Sequence, residues 1–201
     1  LNSYDQVIMG NVLSAGLGQA PARQAAILGG LNVSTECLTI NKMCGSGLKA
    51  VMIADNEIKS GSADMILAGG MESMSNAPLL VNKNLSKIGH GKMVDSMVHD
   101  GLWDAYNEMH MGSCAELLAS ERNYSRILQD NYAVKSYEKA QNAINEGLFS
   151  DEIISINDDG MMIDDEEPGK AKFEKIPLIK PAFEKNGTIT AANASKLNDG
   201  A

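Results

Sequence analysis

Over residues 5–70, short apolar runs bounded by glycine or polar turns alternate with segments of helical spacing. Asp5–Met9 (DQVIM) reads as a strand and Gly10–Gln19 as a loop. Pro21 then opens a helix through Leu28 that Gly29 and Gly30 close, because proline is preset for a first helical turn and glycine for the stop. Arg23 on that helix could pair with a partner chain or face solvent, and solvent is the expectation. Glu36–Ile40 (ECLTI) is a second strand, with Leu38, Thr39 and Ile40 apolar or β-branched. In Ser46–Ser60, Leu48, Val51, Met52 and Ile58 recur at helical spacing, and Gly61 follows as a stop. Asp64–Gly69 (DMILAG) is another buried strand. The pattern predicts a strand–helix–strand unit with a right-handed parallel crossover. These elements together form a small α/β layer whose strands are expected to be buried on both faces.

From Met71 to about Lys185 the texture changes. Met71, Met74, Met93, Met97, Met109 and Met111 fall without clean periodicity. Irregular Met-rich segments can line an adaptable apolar channel, although gap-filling in a core is the commoner use. His110-Met111-Gly112 leads into a predicted helix over Ser113–Arg122. Ser125 is placed to cap a long helix to Glu146, closed by Gly147, with Ala133, Tyr137, Ala140 and Ile144 on its buried face. Tyr137 there reads as a core aromatic. Glu152–Ile156 and Met161–Ile163 read as a hairpin around Asn157–Gly160. Thr188–Ala191 (TITA) reads as a strand returning to the core layer, and Asn193–Gly200 as a polar turn opening another helix.

Composition narrows the class. The chain of 201 residues suits one or two domains with a sizeable core. A net charge of −9, from 17 basic and 26 acidic residues, argues against nucleic-acid binding but leaves room for a local basic site. The charge inverts near the end. Asp158, Asp159, Asp164, Asp165, Glu166 and Glu167 precede Lys170, Lys172, Lys175, Lys180 and Lys185. Read alone, the lysines neutralise the preceding carboxylates in a solvated loop. No apolar run approaches a membrane span. Cys37, Cys44 and Cys114 lack metal-ligand spacing and suit a reducing compartment. There is no signal or transit pattern, and the chain, opening on Leu1, reads as starting inside a domain.

The candidate chemistry centres on Cys44. It sits at the turn from strand Glu36–Ile40 into helix Ser46–Ser60, with Gly45 and Gly47 allowing a tight bend and close ligand approach. A thiol at a helix N-terminus faces unpaired N–H groups and the positive end of the macrodipole. Both favour the nucleophilic thiolate, and the same N–H groups can hold an oxyanion. The turn has the layout of a hydrolase nucleophile elbow with Cys in place of Ser. On placement alone, an inert buried cysteine is an equal reading. His90 and His99 lie in loop contexts and read as surface or structural residues.

The stretch NKMCGSGLKA (Asn41–Ala50) resembles the nucleophile segment of the thiolases. The likeness continues through MGNVLSAGLGQAPARQAA (Met9–Ala26), AGGMESMSNAP (Ala68–Pro78), VDSMVHDGLWDAYNEMHMGSCAE (Val94–Glu116) and NGTITAANASKLNDGA (Asn186–Ala201). It implies an α/β, thiolase-like layered fold: one incomplete core half with an inserted α+β loop domain. The implied division is 1–70 for the N-terminal core, 71–185 for a coenzyme A-binding insertion over the active site, and 186–201 for the return to the core. NKMCGSG and His110-Met111 point to the short-chain class. That class condenses two acetyl-CoA to acetoacetyl-CoA plus CoA, reversibly, through an acetyl-cysteine on Cys44. A longer-chain 3-ketoacyl-CoA thiolase and a non-catalytic thiolase-like acyl-CoA-binding protein are the alternatives.

Further roles follow from the resemblance. His110, Met111 and Ser195 are implied to contact substrate, and Lys170, Ala171, Lys172 and Lys175 the nucleotide end of coenzyme A. Lys180 and Lys185 are left to solvent. Tyr137 and the carbonyls of Ala191, Ala192 and Ala194 imply a coenzyme A and monovalent-cation (K+) site, oxygen ligands suiting a hard cation. No other cofactor is implied. The implied partners are acetyl-CoA and coenzyme A, with a homo-oligomer (a dimer of dimers) and neither nucleic acid nor membrane. The implied location is the cytoplasm, with the mitochondrion left open. The family takes its second Cys and its His from Cys-x-Gly and Gly-His-Pro motifs, and neither pattern occurs here. This polypeptide alone is therefore expected to be poorly soluble and not to turn over.

Overall fold

The computed structural model describes residues 4–83, 90–154 and 165–201. The chain divides into two compact units, Leu1–Glu108 with Leu197–Ala201, and Met109–Lys196.

The first unit is built on strand β1 (Gln6–Gly10), helix α1 (Pro21–Leu28), strand β2 (Glu36–Ile40), helix α2 (Ser46–Ser60) and strand β3 (Ile66–Gly70). The strands form a parallel sheet in the order β2-β1-β3, with Ile8 opposite Leu38 and Ala68. The β2-α2-β3 crossover therefore straddles β1. Side chains alternate across a strand, so Val7 and Ile8 face opposite sides of the sheet, and both are buried, 1% and 0% exposed. Helix α1 packs on β1 and β2, its Ala22 N–H donating to Thr39 Oγ1 at 3.0 Å. Helix α2 packs on β1 and β3, closing a core of Ile8, Ala50 and Ala54 with Ile40, Ile66 and Ala68.

Each helix thus covers two of the three strands. The expectation of strands buried on both faces holds for β1 and fails for β2 and β3. Leu38 stays exposed where α2 does not reach, and Leu67 where α1 does not. A second correction concerns α2. The apolar residues whose spacing revealed the helix do not face the sheet: Leu48 is 70% exposed, and Val51, Met52 and Ile58 are exposed as well. Ser46, Ala50 and Ala54 are buried instead, because only small side chains let the helix lie this close to the strands. The contact is tightest at its N-terminus. A Cβ added to Gly10 would meet the Gly47 nitrogen at 2.6 Å, and one added to Gly70 would meet the Gly47 Cα at 3.4 Å. Arg23 is exposed, as expected, and its guanidinium also donates to the Thr35 carbonyl at 3.2 Å and the Val33 carbonyl at 2.9 Å, fastening the α1–β2 loop.

Beyond β3, strand β4 (Glu72–Ser73) pairs antiparallel with the two-residue strand Asp199–Gly200, and β5 (Leu79–Val81) with β6 (Met93–Asp95). The polar segment Asn193–Gly200 therefore ends in this two-residue strand. The Asp199 carboxylate accepts from the Ser75 hydroxyl and from the Ser75 N–H, which holds it below the usual carboxylate range.

In the second unit, helix α3 (Met111–Glu121) begins two positions earlier than the predicted Ser113, because His110 caps it. Helix α4 (Arg126–Asn145) has the expected cap, Ser125 Oγ accepting from the Leu128 N–H at 3.3 Å, and the chain turns at Gly147 with φ of 63°. Its predicted inner face, Ala133, Tyr137, Ala140 and Ile144, is half-buried, and Asp130 is the one buried residue of the helix. A short helix α5 (Glu166–Gly169) and a 3-10 segment (Phe173–Leu178) follow. Of the predicted hairpin, Glu152 lies in a turn and Ile153 and Ile154 form no strand; the rest falls outside the described residues.

Thr188–Ala191 is not a strand either, because its backbone donors go to side chains. The buried Glu116 carboxylate accepts from the Thr188 N–H at 2.8 Å, the Thr188 hydroxyl at 3.0 Å and the Ile189 N–H at 2.8 Å. Asn193 Oδ1 accepts from the Thr190 N–H at 2.7 Å, while its amide donates to Asp130 at 3.0 Å and to the Thr188 carbonyl at 3.0 Å. Asp130 is paired with Arg126 at 2.7 Å. Burial is the largest influence on Glu116 and opposes its ionisation, but the Thr188 and Ile189 N–H groups and the Thr188 hydroxyl together outweigh it, and the carboxyl is held below the usual range.

Two outcomes follow. Gly10→Ala forces α2 away from β1, and overpacking of this kind costs about 1–3 kcal/mol; a lowered urea midpoint is expected, and an unchanged one would mean the contact is slack. Glu116→Gln removes a charged acceptor and is expected to cost about 1–3 kcal/mol at pH 7. Because the folded carboxyl lies below its unfolded value of about 4.3, its contribution is full above that value and fades as pH falls through the folded one. The difference between the wild type and Glu116→Gln in denaturant titrations should therefore shrink on acidification. A gap that stays constant to pH 3 would contradict the ionised role.

Candidate active site

The turn between β2 and α2 carries Cys44, and its shape is set by its own polar groups. Met43 N–H donates to Asn41 Oδ1 at 2.9 Å. The buried Ser46 hydroxyl accepts from the Lys42 N–H at 2.8 Å and donates to the Met43 carbonyl at 2.6 Å. Gly45 and Ser46 N–H groups return to the Lys42 and Met43 carbonyls. Met43 is left-handed at φ of 51°, a conformation that costs an ordinary residue roughly 1–2 kcal/mol; the strain falls one position before the cysteine. Cys44 itself is exposed and free. Among the described residues, no carbonyl or side chain takes up its N–H.

Cys44 opens on a cavity of about 390 Å³. Its walls are the Cys44 turn, Gly10–Leu13, Gly70–Glu72 with Met74, the Met97 and Gly101–Leu102 turn, and Gly200–Ala201. Met43, Met71, Met74 and Met97 make this wall apolar and adaptable, so three of the irregular methionines, Met71, Met74 and Met97, line this cavity. Met93 and Met111 are exposed. The loop opposite the cysteine is held by Glu72, whose carboxylate accepts from the Val12 N–H at 2.8 Å, the Leu13 N–H at 3.1 Å and the Asn11 amide at 3.0 Å. Asn11 is buried and also donates to the Met71 carbonyl at 3.0 Å. Its Oδ1 is buried without a hydrogen-bond partner among the described residues.

The other candidates belong to the second unit. His110 Nδ1 accepts from the Gly112 N–H at 3.0 Å, so the neutral ring carries its proton on Nε2. The ring stacks on Phe183 at 4.9 Å between centroids, and Gly112 is required there, since a Cβ would strike the Phe183 ring at 2.3 Å. Tyr137 lies near Phe173. Lys170 is paired with Glu166 at 2.9 Å and approaches Glu167 at 3.9 Å. The Glu166 hydrogen bond and charge raise its pKa, so this lysine neutralises the preceding carboxylates. Lys172 and Lys175 are exposed and have no acidic partner among the described residues, and Lys180, Lys185 and Ser195 are exposed too. Ala171 is half-buried. His90 and His99 are exposed, as expected.

Of the residues expected to hold a monovalent cation, Tyr137 and the Ala191 carbonyl meet around a side-chain cation, Lys196, and with that ammonium between them they do not fit a metal ion. Lys196 donates to the Ala191 carbonyl, and its Nζ stands 5.6 Å from the centre of the Tyr137 ring. Among the described residues no group of three His, Cys, Asp or Glu side chains is placed to hold a metal ion.

Sequence reading missed Ser46, Asn11, Glu72, Glu116, Asp130 and Lys196. Two of them left a trace: Glu116 is a lone charge inside the helical run Cys114–Leu118, and Arg126 and Asp130 stand at the spacing of a helical ion pair. Asn11, Glu72 and the Tyr137 and Glu167 contacts of Lys196 depend on partners distant in sequence, whereas Ser46 acts within its own turn.

A sequence model of the family "Thiolase, N-terminal domain" matches residues 1–201. The chain is 48% identical over 203 residues to the human protein "Acetyl-CoA acetyltransferase, mitochondrial", an overlap of 98% of this chain and 48% of the relative. It is 49% identical over 207 residues to the "Probable acetyl-CoA acetyltransferase" of Escherichia coli strain K12, covering 99% of this chain and 53% of that one. The chain thus spans about half the length of the curated relatives it matches. The crystal structure of Acat5 thiolase from Ascaris suum in complex with coenzyme A superposes with a TM-score of 0.93 at 42% identity, over 98% of this chain and 52% of that chain. The α/β architecture, the Cys44 turn and the agreement along the whole chain lead to one conclusion: the chain belongs to the thiolase family, in the region of its N-terminal domain.

Proposed function

We propose that this chain is the nucleophile-bearing part of an acetyl-CoA C-acetyltransferase, which joins two acetyl-CoA into acetoacetyl-CoA and CoA, reversibly. The observation that carries the reading is an exposed thiol at a helix N-terminus, beside a backbone N–H without a partner among the described residues and above an apolar cavity.

In the first half-reaction the Cys44 thiolate attacks the acetyl carbonyl carbon. Negative charge moves to the carbonyl oxygen, where the Cys44 N–H can stabilise it. The carbonyl reforms, the bond to the coenzyme A sulfur breaks, and the departing thiolate takes up a proton. In the second half-reaction a base removes a Cα proton from another acetyl-CoA. The carbanion attacks acetyl-Cys44, the new carbon–carbon bond forms, and the cysteine thiolate is released. Forming the acyl-enzyme splits one difficult transfer into two easier ones. In this reading the acid–base groups come from outside these residues, in line with the family pattern of a second Cys and a His.

Coenzyme A thioesters are the substrates of this reading. Residues 71–185 act as the insertion that holds them, with His110 and Met111 toward the pantetheine and Lys170, Ala171, Lys172 and Lys175 toward the nucleotide, and Ser195 of the returning segment meets the pantetheine as well. Lysine is an adequate point-charge partner for phosphate. The His110 Nε2–H is the donor this ring has left to offer. A homo-oligomer belongs to the same proposal. The compartment stays general: the relatives include mitochondrial and bacterial proteins, and among the described residues no helix is long and apolar enough to cross a membrane.

Incubation of the protein with isotopically labelled acetyl-CoA, digestion and mass spectrometry should place the acetyl group on Cys44; label on Cys37 or Cys114 with none on Cys44 would refute the assignment. For the lysines, Lys175→Ala should weaken coenzyme A binding several-fold while leaving binding of an acyl-pantetheine nearly unchanged. Lys170→Ala should have the smaller effect, because its charge is already met by Glu166 and Glu167. Equal losses for the two ligands in calorimetric titrations would remove both lysines from the nucleotide site.

A further inference from the structure

We propose that the Lys196 ammonium is a built-in cation of the second unit, held by the Ala191 carbonyl, the Tyr137 ring and the Glu167 carboxylate, and that this pocket takes no monovalent metal ion. The resemblance led to the opposite expectation, a K+ held by Tyr137 and the carbonyls of Ala191, Ala192 and Ala194. The geometry departs from it at one residue. Lys196 lies five positions beyond Ala191 and folds back over its own turn, donating to the Ala191 carbonyl. Its Nζ is 5.6 Å from the Tyr137 ring centre, within cation–π range, and 3.6 Å from Glu167 Oε1.

This lysine is not an ordinary surface residue. Its side chain is 25% exposed, against 61% for Lys170. It also meets a turn that cannot readily move aside. Thr190 is fully buried, its hydroxyl accepts from the Ala192 N–H at 3.2 Å, and its carbonyl accepts from the Ala194 N–H at 3.0 Å. Asn193 is tied to Asp130 and so to Arg126. The Ala191 carbonyl is therefore presented from a fixed frame, and Glu167, at the other side of the ammonium, is shared with Lys170.

An alkylammonium and K+ are similar in size and carry the same charge. The ammonium donates hydrogen bonds where K+ would coordinate, so it satisfies the same carbonyl and ring. A metal ion entering beside it would bring two positive charges within a few ångströms in a partly desolvated pocket, which is unfavourable. The tether has another consequence. A side-chain cation is present at any salt composition, whereas a bound ion is present only above its dissociation constant.

The test is independent of acyl transfer. Thermal unfolding and amide hydrogen exchange across Thr188–Lys196 are measured in KCl, NaCl and choline chloride at equal ionic strength, for the wild-type protein and for Lys196→Ala. The wild type should unfold at the same temperature in all three salts. Lys196→Ala should lose about 2–4 °C in choline chloride and exchange faster at Ala192 and Ala194. KCl or methylammonium chloride should restore both, saturably. A wild-type midpoint that rises saturably with KCl over choline would overturn the proposal, and needs no variant to be seen. So would a Lys196→Ala protein that matches the wild type in every salt. Neither result bears on whether Cys44 is acylated, so failure here leaves the catalytic reading standing.

Discussion

The close approach of helix α2 to the ends of β1 and β3 is the constraint on which the first unit rests. A Cβ at Gly10 would strike the backbone of Ser46 and Gly47 at 2.6 Å, and Gly47 and Gly70 meet there in van der Waals contact. That contact brings the Cys44 turn up to the mouth of the cavity and aligns the helix N-terminus with it. It also dictates the small residues below, Ser46, Ala50 and Ala54, which keep the helix parallel to the sheet surface. A larger side chain at any of them would lift the helix and carry the cysteine with it. The apolar residues of α2 are consequently turned outward.

Around this frame, irregular backbone is held by buried or half-buried carboxylates rather than by strand pairing. Glu72 collects two backbone N–H groups and an amide from the loop that faces Cys44. Glu116 does the same for Thr188 and Ile189 in the second unit. An ionised carboxylate offers several acceptor sites, so one side chain can satisfy a turn that has no ladder to join. Such a turn can then be shaped for a ligand, without the flat geometry of a strand. Gly187 accompanies this arrangement: a Cβ there would collide with the Glu116 carboxylate at 2.1 Å.

The same logic extends to the Ala191–Lys196 segment, where a lysine replaces a free ion. The polar groups of the second unit form a chain from Arg126 through Asp130 and Asn193 to the Thr190 turn. Lys196 closes that chain on the far side with Glu167. The second unit owes this region to fixed charges and their hydrogen bonds more than to apolar packing, since the long helix α4 buries little besides Asp130.

The sequence by itself determined what local chemistry can specify. The bounds of α1, β2 and α2, the Ser125 cap and the stops at Gly61 and Gly147 were legible, because proline, β-branched residues, capping hydroxyls and left-handed glycines act on their nearest neighbours. The position of Cys44 at a strand-to-helix turn was legible for the same reason. Tertiary structure alone decided which face of α2 meets the sheet, because periodicity marks a helix but does not say whether its large or its small residues are wanted there. It also decided that TITA stays out of a sheet, since its hydrogen-bond partner Glu116 lies 72 residues away. And it turned Lys196 from one more surface charge into a cation above Tyr137, a meeting of residues 59 positions apart in the chain (196 − 137) that no local pattern encodes.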